Sequence, residues 1–186
     1  SRFGRRAHLD REKKALSILQ GICGVVQCSG DKDEISLCIR GSVQKVPALI
    51  LSPKGLSFKA AARSYKLDLP LVWNQLHDTL TAIHDKQIVH CDVTPHNIIF
   101  VDVAVMDGSP ILKPVLIDFG IAAVYGEMYR GVVGTPEFSH LDVLNSYPSL
   151  QWLPLPKHDK ASLGLTIAVA QNHFVLPWDS LHPRSS

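Results

Sequence analysis

The sequence predicts an α+β domain, because segments of helical and of strand periodicity alternate along one chain of 186 residues. A long amphipathic helix is predicted in the middle of the chain, a hairpin with an Asp-Gly turn follows it, and an apolar helix lies near the carboxy end. The composition, 46% hydrophobic and 19% charged, is ordinary for a globular protein. We interpret residues 1–186 as a single domain.

The amino-terminal part is predicted to hold one helix and three strands. Asp10 is a suitable N-cap for a helix over residues 10–19. Apolar segments at 24–28 and 35–39 flank a polar, turn-like run, which indicates a β-hairpin with its turn at 29–33. Another strand is expected at 46–51, directly before the loop-forming Ser-Pro-Lys-Gly sequence.

The rest of the chain is predicted to form a helix, a hairpin and a buried helix. Pro70 suits the first turn of the long helix. Its apolar residues recur at helical spacing: Leu69, Val72, Trp73, Leu76, Leu80 and Ile83. Strands at 98–105 and 111–117 flank an Asp-Gly pair that is typical of tight turns. Residues 161–170 are apolar nearly all round, which predicts a buried helix.

Charge and composition argue against several functional classes. The net charge is only +2, and the one basic cluster lies within the first six residues, so no nucleic-acid partner is expected. No apolar run reaches the roughly 18 residues of a membrane helix, and no secretory signal is visible. The four cysteines lack metal-ligand spacing and are expected to be free thiols. We therefore expect an intracellular protein that needs no membrane, and nothing indicates an obligate oligomer.

Two short motifs carry the candidate chemistry. Asp92 and Asn97 lie five positions apart in the loop between the long helix and the hairpin. Asp118, Phe119 and Gly120 follow the second strand of the hairpin, where a carboxylate can face Mg²⁺ and a glycine permits a turn. Phosphoryl transfer needs an acceptor for the proton of the attacking hydroxyl and oxygen ligands for the metal. These residues can divide those tasks.

Four segments in this order resemble the eukaryotic-type protein kinase family. Residues 90–97 are similar to its catalytic loop, 118–120 to its metal-binding segment, 134–138 to its peptide-docking loop and 159–164 to the start of its large buried helix. The resemblance runs from about residue 10 to residue 178.

The resemblance implies a protein kinase-like fold with two unequal parts. Residues 1–53 would be a truncated small lobe, made of a helix plus short antiparallel strands and ending in the hinge. Residues 54–186 would be a mainly helical large lobe that is incomplete at the carboxy end. The whole chain would then be a single partial kinase domain that lacks the glycine-rich loop and the strand with the ATP-binding lysine.

The resemblance also implies roles at the site. Asp92 would be the catalytic base, while Asn97 and Asp118 would bind Mg²⁺ and thereby ATP. Leu51 and Pro53 would belong to the hinge that receives the adenine of ATP.

Structural or regulatory roles are implied for seven further residues: Glu12, Leu16, His90, Phe119, Gly120, Thr135 and Asp159. Glu12 matches the helix glutamate that pairs with the ATP-binding lysine, and Leu16 follows one turn later. His90 and Phe119 would stack in the core that links the lobes. Asp159 would brace the backbone of the catalytic loop. Thr135, placed near Asp92, favours Ser/Thr specificity.

Several positions depart from the family pattern. Cys91 replaces the arginine of the catalytic loop, so control by activation-loop phosphorylation is not expected. Thr94 replaces a lysine that contacts the transferring phosphate, which weakens transition-state stabilisation. Asp142 stands where the family has a glutamate, and no arginine partner for it is identifiable. Because no lysine-bearing strand precedes Glu12 either, we expect weak activity or none.

Three functions remain open at this point. The first is a protein kinase that transfers phosphate from ATP to Ser or Thr hydroxyls of a protein substrate. The second is a pseudokinase or truncated kinase fragment that acts as an interaction module, which the missing strands favour and the retained acidic residues oppose. The third is a small-molecule kinase, and it ranks last because such enzymes generally lack a docking loop like residues 134–138.

Overall fold

The computed structural model describes residues 2–39, 41–106, 109–130, 134–146 and 151–176. The helices are α1 (Arg2–Ile18), α2 (Phe58–Ser64), α3 (Leu69–Asp85), α4 (Leu141–Asn145) and α5 (Pro156–Gln171). The strands are β1 (Gln27–Ile39), β2 (Ser42–Ser52), β3 (Leu56–Ser57), β4 (Ile88–Val89), β5 (Ile98–Met106), β6 (Ser109–Leu116), β7 (Ala123–Val124), β8 (Tyr129–Arg130) and β9 (Gln151–Trp152). Within these ranges every helix is too short or too polar to cross a lipid bilayer.

Helix α1 starts earlier than the sequence predicted. It begins at Arg2, so the predicted N-cap at Asp10 is wrong, and Asp10 lies exposed in the middle of the helix. The residues before Asp10 contain no proline, so nothing in the sequence stops the helix there. Ala15 and Leu16, within the predicted range, are buried.

The first hairpin is also placed differently. β1 pairs with β2 in antiparallel fashion, so the turn follows Ile39 and the predicted turn at 29–33 is wrong. The polar run lies within β1, where the register shifts between Cys28 and Gly30 and again between Lys32 and Ile35. Such bulges accommodate residues that do not fit a regular ladder. The strand predicted at 46–51 is confirmed as part of β2.

The central helix and the second hairpin follow the prediction. Asp68 caps α3 by accepting a hydrogen bond from Leu71 N at 3.1 Å. β5 pairs with β6, and the short β3 adds a third strand to their sheet. The Asp-Gly turn at 107–108 lies outside the described residues.

One main core joins both ends of the described chain. Leu76, Leu80 and Ile83 of α3 are fully buried, and α3 packs against α5 and β6. The predicted buried helix is confirmed as α5, with Leu163 inaccessible to solvent. Leu16 of α1 belongs to this core too. Helices and antiparallel strands thus share one core, and the predicted α+β class is confirmed.

The sequence did not reveal the short elements around the site. Helices α2 and α4 and the two-stranded pairs β4–β7 and β8–β9 were not predicted. Each of these strands has only two residues, which is too short for a periodic signal.

Candidate active site

The loop that carries Asp92 is anchored by the carboxylate of Asp159 on helix α5. This carboxylate accepts hydrogen bonds from His90 N at 2.8 Å and from Cys91 N at 2.9 Å. His84 Nε2 lies 2.8 Å from Asp159 Oδ2, the same oxygen that accepts from His90 N. Asp159 is 1% exposed, so these partners replace the water that the charge has lost. The backbone of the loop is therefore held by the large buried helix.

Cys91 has a left-handed backbone, with φ at 70°. Its side chain packs beside Val143, Trp152 and Tyr129. Burial, and next the charge of Asp159, raise the pKa of the Cys91 thiol well above its usual value. The thiol therefore stays protonated at neutral pH and serves as a small apolar group.

Asp92 is held from two sides. The Nδ2 of Asn97 donates to Asp92 Oδ2 at 2.7 Å and to the Asp92 carbonyl at 2.9 Å. The backbone N–H of Thr135 donates to Asp92 Oδ1 at 2.8 Å. Gly134 makes this possible, since a Cβ there would collide with the carbonyl oxygen of Cys91. The segment around Thr135 thus lies directly on the candidate base.

Asp118 is brought next to this loop by backbone pairing. Ile117 N donates to the carbonyl of Asn97 at 3.0 Å, and His90 Nε2 lies 3.1 Å from the carbonyl of Ile117. The His90 and Phe119 rings pack with their centroids 4.6 Å apart, and Phe119 is fully buried. The two motifs therefore form one structural unit.

The turn at this unit differs in detail from the expectation for Gly120. The left-handed residue is Asp118, with φ at 63°, and its Oδ1 accepts a hydrogen bond from Gly120 N at 3.2 Å. Aspartate tolerates this conformation better than most residues because of such local hydrogen bonds. Gly120 instead allows a close approach, because the ring of His8 lies in the space that a Cβ would occupy.

Glu12 reaches the same unit from helix α1. Its Oε1 accepts a hydrogen bond from Phe119 N at 3.4 Å. Burial, and next the nearby charge of Asp118, raise the pKa of Glu12 above its usual value. Within the part of the chain that the structure describes, no lysine or arginine forms an ion pair with Glu12. Leu16, one turn later, is 1% exposed and belongs to the core.

A cavity of about 600 Å³ lies between Leu51 and Pro53, in the segment predicted to be the hinge, and Asp118. It is lined by His8, Glu12, Val26, Leu51, Pro53, Lys54, Gly55, Ile99, Ile117 and Asp118. Leu51 and Pro53, which were predicted to contact adenine, therefore line the same cavity as Asp118, a predicted metal ligand. Asn97 and Asp92 are not among the residues that line this cavity. Its volume is in the range of small-molecule sites.

Two further positions were hard to judge from sequence. Thr94 is 1% exposed, and its hydroxyl has no hydrogen-bond partner among the described residues. Asp142 has a cationic partner that the sequence search missed, since Lys157 Nζ lies 2.5 Å from its Oδ2. This pairing lowers the pKa of Asp142. The family pattern suggests an arginine near the carboxy end as the partner of Asp142, whereas the partner is a lysine at the start of α5.

The protein kinase domain model matches residues 14–177. The chain belongs to the protein kinase family. This kinase domain is 38% identical over 74 residues to the human and mouse serine/threonine-protein kinase D3, which is 39% of this chain and 8% of those relatives. It is 42% identical over 72 residues to rat serine/threonine-protein kinase D2, covering 38% of this chain and 8% of the relative. Mouse death-associated protein kinase 2 is 36% identical over 76 residues, 40% of this chain and 20% of that protein.

The family rests on the domain match over residues 14–177. The chain spans only 8–20% of the length of these relatives. The domain match also favours the protein kinase interpretation over a small-molecule kinase. Arg11, His8 and Tyr129, which contact the Phe119–Gly120 region or one another, had no signal in the sequence.

Proposed function

We propose that this chain transfers the γ-phosphoryl group of ATP to a Ser or Thr hydroxyl of a protein, with Asp92 as the base. The position of Asp92 carries this proposal. One carboxylate oxygen is bonded to the amide of Asn97 and the other to the backbone N–H of Thr135. A hydroxyl delivered along the Thr135 segment would meet a carboxylate whose orientation is already fixed, which is what phosphoryl transfer requires of its protein groups.

The residues present are chemically suited to Mg²⁺ and ATP. Asn97 uses its Nδ2 for Asp92, which leaves its amide oxygen for a metal, and Asp118 supplies a carboxylate. Both are hard oxygen ligands of the kind Mg²⁺ prefers. The bound metal would neutralise charge on the phosphates, while Leu51 and Pro53 would contact the adenine. The names of the relatives, all serine/threonine kinases or a death-associated protein kinase, support this substrate class.

The test is transfer of radiolabelled phosphate from ATP to a generic protein substrate at high concentration of this chain. We expect a low rate, because Glu12 has no ion pair within the described ranges and Thr94 brings no charge. Asp92→Asn should lower the rate by about 10²–10⁴-fold, to the blank. Asp102→Asn, on the exposed face of β5, is the matched control and should leave the rate unchanged. Equal rates in Asp92→Asn and the control would contradict the proposed base.

A second candidate is an interaction module without phosphoryl transfer. It is favoured by the same observation, that Glu12 forms no ion pair with a lysine or arginine among the described residues. Binding of MgATP, measured by calorimetry, separates the candidates when combined with the transfer assay. Binding with no transfer above the blank would favour the interaction module. Binding with transfer that Asp92→Asn abolishes would favour the kinase.

A further inference from the structure

Three side chains on one face of helix α1 contact a single stretch of backbone. His8, Arg11 and Glu12 have i, i+3 and i+4 spacing, so they project from the same side of the helix. Glu12 accepts from Phe119 N at 3.4 Å, and Arg11 Nη1 lies 3.5 Å from the carbonyl of Gly120. The His8 ring fills the space beside the Gly120 Cα. Helix α1 therefore holds the backbone that directly follows Asp118.

Arg11 also reaches a second element. Its Nη1 donates to the hydroxyl of Tyr129 at 2.6 Å, and its guanidinium carbon lies 5.1 Å from the centre of the Tyr129 ring. A charge-assisted hydrogen bond of this length is among the stronger side-chain interactions. Tyr129 faces Trp152 across the β8–β9 pair, with their rings 5.7 Å apart in an edge-to-face arrangement.

This second element lies against the catalytic loop. Cys91, the residue before Asp92, packs on the cluster that contains Trp152 and Tyr129. A cavity of about 420 Å³ separates helix α1 from much of the segment after Gly120, and both Arg11 and Tyr129 lie in its wall. Arg11 thus bridges two parts of the molecule across an incompletely packed space.

We propose that Arg11 is a positioning residue that couples the segment at Asp118 to the β8–β9 pair beside the catalytic loop. A ligand that orders Asp118 and helix α1 would then also order the surface on which a protein substrate lies. The coupling to nucleotide rests on the proposed function, whereas the link between Arg11 and Tyr129 does not. The coupling requires that the contacts of Arg11 with Gly120 and Tyr129 form and break together. Amide hydrogen exchange can detect this.

The experiment compares hydrogen exchange of the Tyr129 and Arg130 amides in the wild type and five variants. Arg11→Met and Tyr129→Phe should each speed exchange about tenfold, because each removes a charge-assisted hydrogen bond. The double variant should exchange no faster than either single one, since both remove the same contact. Arg11→Lys should restore part of the protection, as lysine keeps the charge but lacks the planar fork. Lys14→Met is the control on the same helix and cavity wall, and should behave like the wild type.

A spectroscopic readout separates this role from general stability. Arg11 lowers the pKa of Tyr129 against the rise that burial causes, so the pKa of Tyr129 should rise in Arg11→Met and stay unchanged in Lys14→Met. Titration of the tyrosine ¹³Cζ signal measures this directly. An unchanged titration in Arg11→Met, or exchange equal to the Lys14→Met control, would overturn the bridge.

Coupling to nucleotide is tested with MgADP. In the wild type and in Lys14→Met, saturating MgADP should slow exchange at Tyr129 and Arg130, and in Arg11→Met it should not. Equal protection in Arg11→Met would overturn the coupling. If calorimetry shows no MgADP binding to the wild type, the proposed function and the coupling both fail, while exchange without nucleotide still decides whether Arg11 holds Tyr129.

Discussion

Asp159 and Glu12 are two buried carboxylates beside the same site, and their surroundings differ. Asp159 is 1% exposed and accepts two backbone hydrogen bonds, at 2.8 and 2.9 Å, with His84 as a further partner. Glu12 is 9% exposed and accepts one bond of 3.4 Å, with the like charge of Asp118 nearby. A buried charge is stable only when it is well bonded or paired. The comparison therefore separates a well-bonded buried carboxylate, which anchors the loop of Asp92, from a poorly bonded one on helix α1.

The largest effect that tests this contrast is expected for Asp159→Ala. Removing the carboxylate leaves the N–H groups of His90 and Cys91 and the ring of His84 without their acceptor. The free energy of unfolding should fall by about 3 kcal/mol or more. Urea denaturation measures this, with Asp10→Ala on the exposed face of α1 as the control. A loss no greater than that of the control would show that Asp159 does not anchor the loop.

Glu12→Gln should have a smaller effect of opposite sign. Because the pKa of Glu12 is raised in the folded protein, its ionised form is disfavoured at neutral pH, and a neutral isostere should relieve that cost. The stability gained should be largest above the raised pKa, so it should be greater at pH 8 than at pH 5. It should shrink as the pH falls toward the ordinary value of 4.5, where the wild-type side chain becomes neutral as well.

Urea denaturation of Glu12→Gln and wild type at pH 8 and pH 5 checks both the sign and the pH dependence. If Glu12→Gln is less stable than the wild type at pH 8, the fold accommodates an ionised Glu12 well. The contrast with Asp159 would then be lost.

The smallest effect concerns His158, which is buried at the start of α5. Its Nδ1 accepts from Leu155 N at 3.2 Å. Its Nε2 has no hydrogen-bond partner among the described residues and lies 3.8 Å from Asp142 Oδ2. Burial, followed by the charges of His140 and Lys157, lowers the pKa of His158 below 6.5. A histidine held neutral by the fold costs stability once it is forced to protonate, so stability should decline as the pH falls through and below 6.5.

Thermal unfolding of the wild type and His158→Gln between pH 7.5 and 5 measures this. The decline should be shallower in His158→Gln. Equal slopes would assign the pH dependence to other groups.

The success of sequence prediction follows how local each feature is. Helix α3 and the β5–β6 hairpin were predicted because apolar periodicity, Pro70 and the Asp-Gly pair encode them within the segment. The turn of the first hairpin was misplaced because the polar run at 29–33 resembles a turn. In the structure these residues belong to strand β1, whose pairing with β2 is irregular there. The start of helix α1 was placed too late because Asp10 resembles an N-cap, whereas the helix begins at Arg2.

The candidate site was predictable in its motifs and not in its contacts. Asp92, Asn97 and Asp118 lie in short runs whose order resembles the kinase family, so they could be selected from the sequence. The pairs Arg11–Tyr129 and Asp142–Lys157 join residues 118 and 15 positions apart. Nothing in the local sequence distinguishes these side chains from solvated ones. Such pairs are set by tertiary packing and become visible only in the structure.

The central claim is that Asp118 belongs to a metal–nucleotide site, and calorimetry of MgATP binding tests it most directly. The titration compares the wild type with Asp118→Asn and with the exposed control Asp102→Asn. We predict binding that depends on Mg²⁺, is weakened at least about tenfold by Asp118→Asn because a hard anionic ligand is lost, and is unchanged in Asp102→Asn. Equal affinity in Asp118→Asn and the control, or binding that ignores the metal, would contradict the account.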